Sequence, residues 1–88
     1  MIRKTIYFFG NVQGVGFRYT THSVATRFEV AGYVRNLGNG SVELVVEGSD
    51  MEIERFLEML RNQMSGHIDR EEARESLPTG EFSGFDVR

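Results

Sequence analysis

The segment from Gly10 to Arg18 constrains this chain more than any other part of its sequence. It reads Gly-Asn-Val-Gln-Gly-Val-Gly-Phe-Arg and joins a strand-like run that ends at Phe9 to a helix-like run that begins at Phe17. Glycine adopts backbone angles that other residues avoid, and it leaves room for a ligand beside the main chain. A helix that begins directly after such a loop points unpaired N–H groups at that ligand, and its dipole favours an anion. The segment therefore predicts an anion-binding loop, with phosphate as the commonest occupant.

Arg18 strengthens this prediction. A cation in the first turn of a helix lies at the positive end of the dipole, which costs about 0.3–1 kcal/mol unless an anion is bound there. The planar guanidinium is well suited to holding two phosphate oxygens. The alternative is a tight strand-to-helix turn with a solvated arginine, because glycine-rich turns are common without ligands.

Two familiar phosphate loops do not fit the sequence. The nucleotide-triphosphate loop requires Lys followed by Ser or Thr after its last glycine, where this chain has Phe17 and Arg18. The dinucleotide fingerprint requires glycine or alanine at position 19, which is Tyr19. A different kind of phosphate site is expected.

Composition indicates an ordinary globular protein of one domain, residues 1–88. The chain is 40% apolar and 26% charged, and its formal net charge of −3 argues against a broad nucleic-acid-binding surface. It has no cysteine, so disulfides and thiol chemistry are not available. Since no apolar run has the length of a membrane span and the first residues do not resemble a signal peptide, a cytoplasmic location is expected.

Hydrophobic periodicity predicts the secondary structure. Runs rich in β-branched and aromatic residues predict strands, and apolar stripes at helical spacing predict helices. The expected strands are 4–9, 33–36, 41–47 and 82–87, and the expected helices are 17–28 and 50–64, the second capped by Ser49 or Asp50. The third strand is expected to bury Val42, Leu44 and Val46 and to leave Glu43, Val45 and Glu47 mostly in water. The segment from His67 to Leu77 has no clean period, so a charged edge strand and a surface helix both remain open.

The order of these elements is typical of the ferredoxin-like, split β-α-β fold. That fold is an α+β sandwich, βαββαβ, with one mostly antiparallel sheet and two helices on one face. Its first two strands run parallel with the third strand between them, so their carboxyl ends meet at one edge of the sheet. The glycine loop leaves the first of these ends, and Asn36 lies at the second. Ligands gather at such edges, so Asn36 is expected to face the loop.

The polar residues of this arrangement suit an already activated substrate. No serine or cysteine nucleophile adjoins a histidine, and His22 and His67 do not have the spacing of metal ligands. Phosphoryl transfer depends mostly on positioning and charge stabilisation, which Arg18 and the loop amides can provide. The amide of Asn36 can hold a water molecule. Alternatively, Asn36 is only a turn-forming residue.

Three motifs resemble the acylphosphatase family in order along nearly the whole chain: Gly-Asn-Val-Gln-Gly-Val-Gly-Phe-Arg at 10–18, Gly-Tyr-Val-Arg-Asn at 32–36 and Gly-Ser-Val-Glu at 40–43. The resemblance implies a hydrolase that converts acyl phosphates to a carboxylate and inorganic phosphate without a metal or cofactor. It implies that Arg18 is the phosphate-binding catalytic arginine and that Asn36 orients the attacking water. The residues that it places against the phosphate are Asn11, Val12, Gln13, Gly14, Val15, Gly16, Phe17 and Arg18. Asn11 departs from the basic residue that is common at this position, which removes one nearby charge.

We further expect a monomer that binds a small acyl phosphate, and inorganic phosphate or sulfate as a ligand. We expect no interaction with nucleic acid or membrane. The sequence does not choose among acetyl phosphate, carbamoyl phosphate and bisphosphoglycerate. Two other functions stay open. The first is a non-catalytic anion-binding or interaction domain. The second is an RNA-binding sheet, with bases stacked on Tyr7, Phe9 and Tyr33, although Glu43, Glu47 and the acidic balance oppose it.

Overall fold

A five-stranded sheet with two helices forms the molecule, as seen in a computed structural model that describes residues 1–88. The elements are β1 (Ile2–Gly10), α1 (Phe17–Ala25), β2 (Val30–Asn36), β3 (Val42–Gly48), α2 (Asp50–Gln63), β4 (Ile68–Ser76) and β5 (Phe85–Val87). The strand order is β4-β1-β3-β2-β5, and every neighbouring pair is antiparallel except β2 and β5. The predicted ferredoxin-like α+β fold is confirmed.

The strand register brings the ends of β1 and β2 to the same edge of the sheet. Phe8 of β1 and Asn36 of β2 both pair with Val42 of β3, one from each side. The two strands therefore run parallel with β3 between them, as the sequence predicted. The glycine loop begins two residues beyond Phe8, so it starts close to Asn36.

The hydrophobic core lies between the helices and one face of the sheet. Its buried members are Ile6, Phe8, Val12, Phe17, Val24, Ala25, Val34, Val42, Leu44, Val46, Ile53, Phe56, Leu57, Leu60 and Met64. Val12 and Phe17 belong to this cluster, and the rings of Phe17 and Phe8 have centroids 5.0 Å apart. Burial of such a side chain contributes about 1.5–3 kcal/mol. The glycine loop is therefore fixed to the core at both of its ends.

The helix-free face of the sheet is covered, which the sequence did not predict. Because β4 and β5 lie at opposite edges, residues 77–84 must cross this face, and we call them the crossing segment. The N–H groups of Thr79 and Gly80 donate to the Glu47 carboxylate over 2.8 and 3.1 Å, and Arg3 Nε donates to it over 2.7 Å. Burial raises the pKa of the Glu47 carboxyl, but these hydrogen bonds outweigh burial and hold the pKa below its ordinary value.

Glu43 and Val45 are buried on the same face, so the expectation that Glu43, Val45 and Glu47 are mostly in water is wrong. The side chains of Tyr7 (3.1 Å), Tyr33 (2.9 Å) and Arg35 (2.6 Å) all donate hydrogen bonds to the Glu43 carboxylate. Desolvation of this carboxylate is outweighed by these three donors, which lower the pKa of Glu43. The alternation of β3 was read correctly, but its second face meets polar partners rather than water.

The limits of several elements differ from the sequence prediction. The segment from His67 to Leu77 contains the edge strand β4, which settles the choice between strand and helix in favour of the strand. The last strand begins at Phe85 rather than Phe82, because the residues before it belong to the crossing segment. The first helix ends at Ala25, and β2 begins at Val30, three residues earlier than expected. Neither helix has the length and apolar character that crossing a membrane requires.

Candidate active site

The glycine loop makes a sharp turn immediately before α1. Gly14 and Gly16 both have φ of 77°, in the left-handed region that disfavours other residues, and Gly16 is the N-cap of the helix. A Cβ atom added at either glycine would meet no atom within 4 Å. The glycines are therefore required for the backbone angles of the turn, and the main chain there faces open space.

The backbone N–H groups of this turn have no acceptor in the protein. From Asn11 to Tyr19 none donates a hydrogen bond to another residue, and the first helical bond runs from Thr20 N to Gly16 O over 2.9 Å. The helix also has no acidic residue in its first turn and no side-chain cap. A row of free N–H groups at a helix N-terminus, with no carboxylate to neutralise it, is suited to an anion.

The side chain of Gln13 connects the glycine loop to the turn between β2 and β3. Its Nε2 donates to the carbonyl oxygens of Leu37 (2.8 Å) and Ser41 (2.9 Å), in the turn between β2 and β3. That turn is itself fixed, because Asn39 Oδ1 accepts from Ser41 N and Oγ over 3.0 and 2.5 Å. The side chain of Gln13 thus faces the turn, and only its main-chain N–H is free for a ligand.

Arg18 lies at the other side of the turn. Its guanidinium is exposed, and Nη1 donates to the main-chain oxygen of Arg88 over 2.9 Å. No salt bridge of the structure involves Arg18. A guanidinium has five N–H donors in a fixed plane. The contact with Arg88 therefore orients the group and leaves most of its donors available.

Asn36 ends β2 with a polar atom that has no partner. Its Oδ1 is buried and accepts no hydrogen bond in the protein. A buried, unpaired carbonyl oxygen costs about 1–3 kcal/mol, so such a group requires an explanation. A ligand or water molecule bound beside the loop would supply the missing donor.

One pocket of about 620 Å³ brings these parts together. It is lined by Val12, Gly14, Gly16, Phe17, Arg18, Tyr19, His22, Asn36, Phe85, Asp86 and Val87. Most of the residues expected from the sequence are among them, but Asn11, Gln13 and Val15 are not. No group of three or more His, Asp or Glu side chains is arranged to hold a metal ion.

Sequence reasoning missed five lining residues: Tyr19, His22, Phe85, Asp86 and Val87. His22 could have been found from helical spacing, because it lies four residues after Arg18 and so on the same side of α1. The residues of β5 carried no such signal, since their position depends on where the crossing segment brings the chain.

The β5 wall of the pocket is held firmly against β2. The N–H of Gly32 donates to Gly84 O over 3.0 Å, and the N–H of Arg88 donates to Val34 O over 2.8 Å. On the helix-free face the Arg88 guanidinium lies 4.1 Å from the centroid of the Tyr33 ring. The main-chain oxygen of Arg88 that orients Arg18 is therefore in a fixed position.

Comparison with known proteins agrees with this geometry. The Acylphosphatase family model matches residues 4–87. An acylphosphatase of Thermobifida fusca (strain YX) is 41% identical over 88 residues, covering 99% of this chain and 97% of that protein. The crystal structure of acylphosphatase from Bacillus subtilis matches with a TM-score of 0.91 and 30% identity, covering 100% of this chain and 99% of that chain.

The same fold is found within a larger protein. The chain matches T. kodakarensis HypF with a TM-score of 0.85 and 38% identity, covering 100% of this chain but only 12% of HypF. The curated relative and the Bacillus structure, by contrast, are matched along almost their full length. With fold, loop and relatives in agreement, this chain belongs to the acylphosphatase family.

Proposed function

We propose that this protein hydrolyses small acyl phosphates to a carboxylate and inorganic phosphate, and that Arg18 and Asn36 carry the reaction in the pocket described above. The observation that supports this most directly is the meeting of three unsatisfied groups at one site. These are the free N–H groups from Asn11 to Tyr19, the guanidinium of Arg18 with most of its donors free, and the buried Oδ1 of Asn36. An anion and a water molecule together would satisfy all three.

The phosphoryl group is bound by the loop amides and Arg18. The N–H groups and the helix dipole hold its oxygens from one side, and the guanidinium holds them from the other. Because these donors are fixed before the substrate arrives, they stabilise the charge of the transition state without reorganising. Inorganic phosphate or sulfate is expected to occupy the same position.

Asn36 orients the water that attacks phosphorus. Its amide is not a base, so it positions the water through hydrogen bonds. As the water oxygen bonds to phosphorus, the bond between phosphorus and the acyl oxygen breaks. The carboxylate then leaves with the electron pair. The proton of the water passes to an oxygen of the phosphoryl group, so no other base is needed.

The first test is hydrolysis of benzoyl phosphate in the presence of a chelator. We expect turnover by the wild type and a loss of about 10³-fold in kcat/KM for Arg18→Ala, with loss of inhibition by phosphate. Arg27→Ala is the matched control, because Arg27 is an exposed arginine just after α1 that does not line the pocket. Wild-type rates in the Arg18 variant would refute the assignment. A folded wild type that binds phosphate without turnover would instead indicate a non-catalytic anion-binding domain.

Asn36→Ala separates binding from catalysis. We expect kcat to fall strongly while the inhibition constant of phosphate changes little, because water positioning acts mainly in the transition state. An equal loss of phosphate affinity and kcat would make Asn36 a binding residue.

The helix-free face does not support the RNA-binding alternative. The hydroxyl groups of Tyr7 and Tyr33 are bound to Glu43, and Phe82 of the crossing segment packs on Tyr33 with ring centroids 5.9 Å apart. The guanidinium of Arg70 covers Phe9 at 3.9 Å from the ring centroid. All three aromatic rings are therefore engaged within the protein.

We further propose that residues 1–88 act as a single domain, as a monomer and in the cytoplasm. One core cluster, which draws on both helices and three strands of the sheet, supports the single domain. The long edge strand β4 carries Asp69, Arg70, Glu71, Glu72, Arg74 and Glu75, and charged edges discourage pairing between copies. Light scattering coupled to size-exclusion chromatography tests the monomer, and a mass of two chains would contradict it.

A further inference from the structure

The orientation of Arg18 depends on one oxygen atom. Its Nη1 donates to the main-chain oxygen of Arg88 over 2.9 Å, which is the only hydrogen bond that this guanidinium makes in the protein. Arg88 follows β5, which ends at Val87, and its N–H donates to Val34 O over 2.8 Å. A residue with a single backbone hydrogen bond can pivot about it. A second contact is therefore needed to hold the oxygen of Arg88 in one place.

The side chain of Arg88 makes this second contact on the helix-free face of the sheet. Its guanidinium lies 4.1 Å from the centroid of the Tyr33 ring, which is within the range of a cation–π interaction. The carboxylate of Asp86 lies 3.9 Å from Arg88 Nη2, and both side chains are largely exposed, so this ion pair contributes little. The Tyr33 ring is therefore the main anchor of the Arg88 side chain.

The Tyr33 ring is itself held in place. Its hydroxyl donates to Glu43 Oε1 over 2.9 Å, and the ring of Phe82 meets it edge-on with centroids 5.9 Å apart. Burial, followed by the bond to Glu43, raises the pKa of Tyr33, so the hydroxyl keeps the proton that it donates. Arg35 lies opposite Glu43 in the strand register and donates to its carboxylate over 2.6 Å. The anchor of Arg88 is thus part of a connected polar network.

Tyr7 shows that the network alone does not require a link to the pocket. Tyr7 lies on β1, and its hydroxyl also donates to Glu43, over 3.1 Å. No guanidinium packs over the Tyr7 ring, whereas Arg88 packs over that of Tyr33. A structural role in binding Glu43 is therefore common to the two tyrosines, and the contact with Arg88 belongs to Tyr33 alone.

Tyr33 does not reach the pocket directly. Successive side chains of a strand point to opposite faces of the sheet. Val34 belongs to the core and Asn36 lines the pocket, so Tyr33 points away from both. Any effect of Tyr33 on the reaction must therefore pass through the main chain of β2 or through Arg88.

We propose that Tyr33 is a positioning residue for Arg18: its ring anchors Arg88 and thereby fixes the main-chain oxygen that orients the Arg18 guanidinium. This inference rests on the proposed role of Arg18 in binding the phosphoryl group. It makes the helix-free face of the sheet part of the support of the active site.

Tyr33→Leu tests this role, with Tyr7→Leu as the matched control. Both substitutions remove an aromatic ring and a hydrogen bond to Glu43, but only the first removes the contact with Arg88. We expect Tyr33→Leu to lower kcat/KM for benzoyl phosphate about three- to tenfold and to weaken binding of inorganic phosphate by a similar factor. Tyr7→Leu should leave both quantities unchanged. Equal losses in the two variants, or no loss in either, would overturn the positioning role.

Tyr33→Phe separates positioning from stability. It keeps a ring beside Arg88 but removes the hydrogen bond to the buried carboxylate of Glu43. Tm should therefore fall, as in Tyr7→Phe, while kcat/KM stays within about twofold of the wild type. A loss of activity as large as that of Tyr33→Leu would show that the hydroxyl matters rather than the ring, and would contradict the proposal.

Arg88→Ala completes a double-mutant cycle. It keeps the main-chain oxygen but removes the anchored guanidinium, so it should reproduce the losses of Tyr33→Leu. The variant that combines both substitutions should lose no more than either one alone, because two residues that act through one contact are not additive. Additive losses, or wild-type values in Arg88→Ala, would refute the proposed route.

Phosphate binding distinguishes this inference from the proposed function, because calorimetric titration with inorganic phosphate needs no turnover. Weaker phosphate binding by Tyr33→Leu but not by Tyr7→Leu, in a protein that hydrolyses no acyl phosphate, would support the positioning role and refute the proposed function. Hydrolysis and phosphate binding that are the same in both leucine variants would refute the positioning role alone.

Discussion

Replacing Asn36 by alanine should leave the protein at least as stable as the wild type while it slows catalysis. The reason is the buried Oδ1 of Asn36, which accepts no hydrogen bond. An unsatisfied buried carbonyl costs about 1–3 kcal/mol, and the substitution removes it. The amide contributes little apolar surface, so its loss from packing offsets only part of that gain.

The expected gain in the free energy of unfolding is therefore between zero and about 2 kcal/mol. For a domain of this size each kcal/mol shifts Tm by about 4–8 °C, so Tm should rise by up to roughly 15 °C or stay constant. Differential scanning calorimetry without phosphate measures this change, and benzoyl phosphate hydrolysis measures kcat on the same samples. Together they would show that the site keeps an energetically unfavourable group for the sake of the reaction.

Asn39→Ala is the matched control, because Asn39 is an asparagine in the adjoining turn whose Oδ1 is fully engaged. It accepts hydrogen bonds from Ser41 N and Oγ, so its loss should lower the free energy of unfolding by about 1 kcal/mol or more and lower Tm. Asn39→Ala should thus lower Tm, whereas Asn36→Ala should raise Tm or leave it unchanged. If Asn36→Ala lowers Tm as much as Asn39→Ala does, Asn36 is a structural residue and the reasoning from its free oxygen is wrong.

Three further substitutions test the framework around the site. Gln13→Ala removes two hydrogen bonds to the β2–β3 turn and should weaken phosphate binding several-fold in calorimetric titrations; unchanged affinity would mean that the loop needs no support. Gly32→Ala should prevent folding, as judged by circular dichroism, because a Cβ would lie 1.9 Å from a backbone oxygen of β3, whereas Gly38→Ala, with open space around it, should fold normally. Because the pKa of Glu47 is lower in the folded protein than in the unfolded chain, the unfolded chain binds a proton at this carboxylate at a higher pH. The contribution of Glu47 to the free energy of unfolding is therefore fully present above about pH 4.5 and decreases as the pH falls further. In urea unfolding, the free energy of unfolding of Glu47→Gln should depend less on pH than that of the wild type. The exposed control Glu75→Gln should keep the pH dependence of the wild type, and an equal pH dependence of Glu47→Gln and the wild type would contradict this reasoning.

Much of the fold followed from the sequence because local patterns and topology agreed. The alternation in β3 and the apolar stripe of α2 each identify an element without help from distant residues. β4 was ambiguous because it is an edge strand with mostly charged residues, and it buries little apolar surface. The start of β5 could not be predicted, since residues 77–84 are ordered by contacts with Glu47 and Tyr33 rather than by any periodicity of their own.

Part of the candidate site could likewise be predicted from the sequence, and part of it could not. Arg18 and the glycine loop are contiguous in sequence, so the chemistry of each residue could be read directly, and Asn36 followed from the parallel ends of two strands. Phe85 and Val87 could not be assigned to the pocket from the sequence, because only the crossing segment brings them there. The burial of Glu47 escaped prediction for the same reason, because Thr79 and Gly80 of the crossing segment bind its carboxylate. The partners of Glu43, by contrast, are side chains of the neighbouring strands β1 and β2.

The crossing segment is needed to complete the pocket but not to complete the hydrophobic core. Every buried member of the core lies between Ile6 and Met64, whereas the last wall of the pocket comes from β5, which adds only the partly buried Phe85 to that core. A chain that has collapsed around its core but has not yet laid residues 77–84 across the sheet therefore lacks the surface that orients Arg18. Acyl phosphate binding would then report the final step of folding rather than the formation of the hydrophobic interior. A cut within the crossing segment should accordingly abolish activity at a lower cost in secondary structure than a cut elsewhere in the chain.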